Sequence, residues 1–296
     1  MPYVVVGFLW AVLLFCTSTS VVSAAGTDGW REKLIFCDDR YDTPWANPQA
    51  AAAFLQPRGF RVVDADELGR WMADATERKQ AADTLVVLPH GLCPIRLLDI
   101  DEKTRQFSGA PGSQTLIRRY MEAGGRVIWS GEMPFYYAQG PQGALFYTGT
   151  AFPTLGNISR DPLDLVADIL SAVPVAGNPT ITPEGKQWGL GSVYGNKGIM
   201  KKETVSVSLC DGPGANTSVI FFKNFNTAFP WSGLVCSAIT LTQDDLYRLA
   251  LYRGTTLAVP RVEEAPKAVP ATELTVSIQG KTPGVPRTAF LRGETL

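Results

Sequence analysis

Short apolar runs alternate with amphipathic stretches along the first half of the chain. Lys33 to Cys37 (KLIFC), Phe60 to Val63, Leu85 to Leu88 and Arg126 to Trp129 (RVIW) are continuous hydrophobic runs. That is the pattern of strands covered on both faces. The stretches between them carry helix signals. Asn47-Pro48 offers an N-cap with proline at the first helical position, followed by a run of alanines. Arg58-Gly59 then turns the chain. Leu68, Trp71, Met72 and Ala75 recur at helical spacing, with Asp66 as the expected cap. Leu116, Ile117, Tyr120 and Met121 share a face of a third helix, with Ser113 as its cap and Gly124-Gly125 ending it. Strands alternating with helices predict an α/β fold: a doubly wound, mostly parallel, flavodoxin-like sheet with helices on both faces, joined by right-handed crossovers.

The second half is less regular. Asp161-Pro162 starts an expected helix through about Val173. Thr204 to Leu209 alternates like an exposed edge strand, and Val219 to Phe222 is a further strand. Thr242 with Asp245 forms a capping-box pattern, Leu246, Leu249 and Ala250 supply the apolar face behind it, and Gly254 would end that helix. From Val259 to Ala271 proline, alanine and charge dominate, the composition of a linker or tail. The expected organisation is an α/β domain over residues 25–258 and a proline-rich tail over 259–296. There is no internal repeat.

The amino terminus changes the compartment. Val4 to Phe15 is an unbroken apolar run, followed by small residues and Val22-Ser23-Ala24. This pattern predicts a secretory signal peptide over residues 1–24, cleaved after Ala24. The alternative is an uncleaved anchor, for which the run is short of the roughly 20 residues that span a bilayer. Export leaves Cys37, Cys93, Cys210 and Cys236, an even number in an oxidising compartment, and three pairings are open. Asn157-Ile158-Ser159 and Asn216-Thr217-Ser218 are glycosylation sequons in a eukaryotic setting.

Composition narrows the function classes. Hydrophobic residues make up 45% of the chain, enough for a sizeable core, and 27 basic against 28 acidic residues leave a net charge of -1. No basic face marks a nucleic-acid binder. The chain has one histidine and no spaced Cys/His cluster for zinc, so no metal site and no cofactor are implied. Gly189 to Gly198 (GLGSVYGNKG) is glycine-rich but lacks the lysine-hydroxyl ending of a phosphate loop.

Candidate chemistry gathers where the strands end. The run LVVLPHGLC carries His90 and Cys93 just past the third strand. Cys37, Asp38 and Asp39 follow the first, and Glu132 follows the fourth. In a sheet ordered second, first, third, fourth, these turns are neighbours at the carboxyl edge, where open α/β sheets bind ligands. Four readings stay open. Cys93 is a candidate nucleophile with His90 as base. Glu132 with Asp38 or Asp39 is a carboxylate pair for a hydrolase acting on glycans. The same edge binds a ligand without chemistry, through Asp38, Asp39, His90, Glu132, Tyr136 and Tyr137. Or the residues are structural, with Cys37 and Cys93 joined as a disulfide. Phe135-Tyr136-Tyr137, with Phe146 and Tyr147, offers flat faces for a sugar or packs the loop down. Phe221-Phe222 through Phe229-Pro230-Trp231 is a second aromatic segment for the same cleft or for the core. In a structural or assembly subunit, aromatic loops would instead form an interface, making a homo-oligomer.

The order KLIFCDD, helix, strand, helix, LVVLPHGLC, then SQTLIRRYMEAGG and RVIWSGEMPFYY resembles the class I glutamine amidotransferase-like fold. It is most similar to the non-catalytic branch, including beta-galactosidase middle domains and ThuA-like modules. The likeness covers roughly residues 30–150, and EAGGRVIWSG carries most of it. Catalytic members imply a cysteine nucleophile on a sharp turn with a histidine and glutamate downstream. Cys93 occupies that place, but its turn reads Gly91-Leu92-Cys93-Pro94-Ile95 without the second glycine, and no histidine follows it. The resemblance therefore implies the fold without glutamine hydrolysis, and a carbohydrate or a partner protein as the ligand.

Overall fold

The computed structural model describes residues 29–41, 43–101, 103–104, 115–142, 145–147, 163, 178–193, 200–212 and 216–253. The chain divides after Val259 into two units, and every described residue falls in the first. The expected signal peptide, the tail, Ser113, Gly254 and all but Leu163 of the Asp161 helix lie outside the described residues.

Five parallel strands form the centre: β1 (Glu32–Phe36), β2 (Arg61–Val63), β3 (Thr84–Leu88), β5 (Arg126–Ser130) and β12 (Gly233–Ser237). Their order is β2-β1-β3-β5-β12. The first four sit in the order expected from the sequence. Beyond β12 the sheet turns antiparallel through β11 (Thr217–Lys223), β10 (Val207–Asp211) and β8 (Thr180–Ile181), with β9 (Met200–Lys201) also on β11. A second, three-stranded sheet joins β4 (Cys93–Pro94), β6 (Tyr137–Gln139) and β7 (Leu145–Tyr147). The fold is a mixed α/β architecture with a large, mostly parallel central sheet.

Alternation along the strands divides the core into two layers. Leu34, Val86, Val127 and Leu234 lie in register on one face. They pack with helices α2 (Ala65–Glu77) and α3 (Leu116–Glu122) through Leu68, Met72, Ile117 and Tyr120. Ile35, Val87, Ile128 and Val235 line the other face. There they meet α1 (Pro48–Leu55) and α4 (Gln243–Leu251) through Ala52, Leu55, Leu246 and Leu249. A residue shifted by one along any of these strands changes layer, so the register is strongly specified.

Several local expectations are corrected. Asp64, not Asp66, caps α2, accepting the amide of Glu67 at 2.7 Å; Asp66 is already inside the first turn, where its charge meets Arg40 and Arg96. Thr115 stands at the cap of α3. Residues Lys202–Thr204 form a short 3₁₀ turn, so the Thr204 strand starts at Val207. That strand is not an edge, because β8 pairs along its far side. Thr242 caps α4 as expected, accepting from the Asp245 amide at 3.1 Å while its hydroxyl donates to the Asp245 carboxylate at 2.8 Å. No helix among the described residues is long and apolar enough to cross a membrane.

Candidate functional site

Parallel strands put the starts of the following helices and the turns after β1, β3, β5 and β12 along one edge. The connection from β1 leads to β2 on one side, and the chain then crosses back to β3 on the other. The gap outside β1 and β3 is therefore the switch point at which such sheets hold ligands.

The turn after β1 is anchored by Asp38. Its carboxylate accepts the Arg40 amide at 3.0 Å, the Arg40 guanidinium at 2.7 Å and the Ala65 amide at 3.0 Å. Burial alone would raise the Asp38 pKa, but these hydrogen bonds and the Arg40 charge outweigh it and hold the carboxyl below its usual value. Arg40 also reaches Asp66, which Arg96 shares. Asp38 is thereby committed to joining β1 to the start of α2. Asp39 is exposed and, among the described residues, accepts from Gln49 at 3.1 Å.

The turn after β3 is packed, not open. His90 is fully buried, its ring 4.4 Å from that of Phe36. Its Nδ1 donates to the Tyr41 carbonyl at 2.7 Å, and its own carbonyl accepts from Thr43 at 3.1 Å. Cys93 is fully buried too, in β4 opposite Ala138, and burial pushes its thiol well above the usual range. Neither side chain is exposed in this geometry, and burial disfavours the thiolate form of Cys93.

Among the described residues Cys37, Cys93, Cys210 and Cys236 are free thiols in this structure. Cys93 and Cys236 lie in one core layer, while Cys37 and Cys210 lie in or against the other. Within the second layer, the strands leading to Cys37 and Cys210 stand five places apart, about 24 Å at the usual strand spacing. A disulfide needs Cα atoms within about 7 Å.

What remains open at the edge is an aromatic rim. Gly91 has φ +66° and Gly131 φ +116°, and the two turns touch at these glycines. A Cβ on Gly91 would lie 2.9 Å from Trp45 Nε1, 3.1 Å from the Gly131 carbonyl carbon and 3.3 Å from Glu132 Cβ. Trp45, half-buried, thus sits on the glycine contact beside Glu132. Its ring lies 5.0 Å from that of Tyr137, and Tyr137 lies 4.9 Å from Tyr136, edge to face. Glu132, Tyr136 and Tyr137 are all half-buried. Burial first, then Tyr136 and the Glu132 charge, raise the Tyr137 pKa. Glu132 Oε1 accepts the Met133 amide at 3.0 Å, and its backbone carbonyl accepts from Trp129 Nε1 at 2.6 Å. Phe135, buried with φ +63°, packs edge-on against Trp129 at 5.2 Å. Phe135 plugs the core in this left-handed conformation, and half-buried Tyr136 and Tyr137 pack against the same core layer.

The second aromatic segment does not join this rim. Phe221 and Phe222 pack into opposite core layers. Trp231 lies at the amino end of β5, where its carbonyl accepts from Arg126 at 2.7 Å. Because β11 runs antiparallel to its neighbour, the loop after it falls at the opposite edge of the sheet. Of the sequence candidates, Glu132, Tyr136 and Tyr137 come together, Asp39 flanks the same edge, Asp38 is held by Arg40 and the Ala65 amide, and His90 and Cys93 are buried. Trp45 is the member that the pattern of runs did not single out. The available cue was a lone tryptophan in a proline-flanked loop, Thr43-Pro44-Trp45, just past a strand.

Residues 31–162, less than half of the chain, match the model of the MJECL34 family. That span includes β1, β2, β3 and β5 with both glycine turns. The chain is also 28% identical over 115 residues to an uncharacterised protein, MJECL34, from Methanocaldococcus jannaschii. The match spans 37% of this chain and 36% of that relative. No solved structure matches the chain.

Proposed function

We propose that this protein is an exported, non-catalytic binding module that takes carbohydrate at the carboxyl edge of its sheet. One observation carries the reading: half-buried Trp45 lies on the Gly91–Gly131 contact beside Glu132, at the switch-point edge, with its ring 5.0 Å from that of half-buried Tyr137. A flat aromatic face stacks on the apolar side of a sugar ring, while a neighbouring carboxylate accepts from its hydroxyls. The reading without catalysis is supported by the sealed positions of His90 and Cys93 and by the absence of any histidine after Cys93. The strand order supports the likeness to non-catalytic glutamine amidotransferase-like modules, and the leader-like amino terminus supports export.

A carbohydrate microarray probed with the wild-type protein, Trp45→Ala and Tyr137→Ala tests this. Binding to a defined glycan class, lost by at least about tenfold in both variants, is the expected result; a tenfold loss corresponds to 1.4 kcal/mol. Glycan turnover that Glu132→Gln abolishes would replace this reading with the hydrolase.

A further inference from the structure

We propose that the ligand of this edge is cationic, an amino-bearing sugar rather than a neutral one. The inference rests on the carbohydrate-binding reading above and adds the charge of the ligand. It comes from which charges at the edge are already answered and which are not.

The guanidiniums that reach this edge are committed. Arg40 is held by Asp38 and Asp66, and Arg96 by Asp66. Asp64 caps α2, where its charge faces the Glu67 amide, and the Asp245 carboxylate accepts from the Thr242 hydroxyl and the Gly191 amide. Asp244 in the first turn of α4 is exposed, and two further carboxylates adjoin the turns after β1 and β5. Asp39 accepts from the neutral Gln49 side chain, and Glu132 from the Met133 amide. Among the described residues neither has a basic partner. Glu132 is also half-buried beside the rings of Trp45 and Tyr137. A partly desolvated carboxylate interacts more strongly with a cation than an exposed one does. The adjoining ring faces attract an ammonium group through their quadrupoles as well. A neutral sugar would use the rings and offer the carboxylate only uncharged hydroxyl donors, leaving its charge unanswered. A protonated amine on the same ring uses both, and the surplus negative charge of the edge favours its approach.

Titration calorimetry on the full chain at mildly acidic pH tests this with two probes, a glucosamine oligomer and its fully N-acetylated counterpart. These ligands share a ring skeleton and differ in charge. The glucosamine oligomer is expected to bind at least about tenfold tighter, with affinity falling as salt rises. Glu132→Gln is expected to shrink that preference to within about twofold. The preference is read on the wild type, so the test stands even if the variant folds poorly. Equal or tighter binding of the acetylated oligomer, with sensitivity to Trp45→Ala, overturns the inference and leaves the binding module intact. Failure of both saccharides to bind overturns the reading and the inference together.

Discussion

Two glycines set the position of the rim. Gly91 and Gly131 take left-handed conformations and bring two turns within backbone contact, on which Trp45 rests. Gly91→Ala meets both problems at once, an L residue at positive φ and a Cβ 2.9 Å from the indole nitrogen. It is expected to cost about 1–3 kcal/mol in denaturant unfolding, a typical price for a strained non-glycine residue, and to weaken ligand binding with it. Asp38 makes a different contribution. Its folded pKa is lowered, so its stabilisation is present above the unfolded carboxyl range and is lost as pH falls through the folded pKa. Asp38→Asn is expected to reduce stability at neutral pH by about 1–3 kcal/mol, through its hydrogen bonds to charged and backbone donors. It is also expected to flatten the acid limb of a stability-versus-pH curve. Retention of the full acid limb in the variant would contradict this role. At this scale the sequence shows which residues follow each strand, but not which of them face solvent. His90 turns inward because Phe36 and the Tyr41 carbonyl receive it, and both lie some fifty positions earlier in the chain.

The central elements were legible because each is a continuous apolar run bounded by helix signals. β12 was not. Its Gly-Leu-Val-Cys-Ser is short, opens on a glycine with φ +117° and follows Pro230-Trp231-Ser232. Its strand character comes from pairing: β5 takes it parallel and β11 antiparallel. It therefore joins the parallel half of the sheet to the antiparallel half, a long-range relation that local pattern does not carry. The helix behind it is legible in the sequence, since its start is a local exchange of hydrogen bonds between Thr242 and Asp245. Thr242→Ala is expected to destabilise the protein by about 1 kcal/mol, a normal cap loss. Thermal unfolding would register it, whereas an unchanged midpoint would mean that α4 is held by packing alone.

For the molecule as a whole, the two-layer core decides what the cysteines do. Cys93, Cys210 and Cys236 are buried within these layers and behave as small apolar residues. Of the four beyond residue 24, Cys37 alone is half-exposed, and its thiol is shifted upward by burial and by Asp39 and Asp38. A thiol reagent is therefore expected to label Cys37 slowly in the native protein and all four after denaturation. Rapid native labelling of two or more would contradict the packing. The central claim is that ligand sits on the aromatic rim of the carboxyl edge, and the molecule offers a clear competitor. A groove of about 470 Å³ lies in the antiparallel half, lined by residues including Thr182, Glu184, Lys202, Ser206, Ser208 and Asp211. Hydrogen exchange read by mass spectrometry, with and without a saturating saccharide, separates them most directly. The account predicts new protection in the turns around Trp45, Gly91 and Glu132–Tyr137, with the groove unchanged. Protection confined to the Lys202–Asp211 region would contradict it.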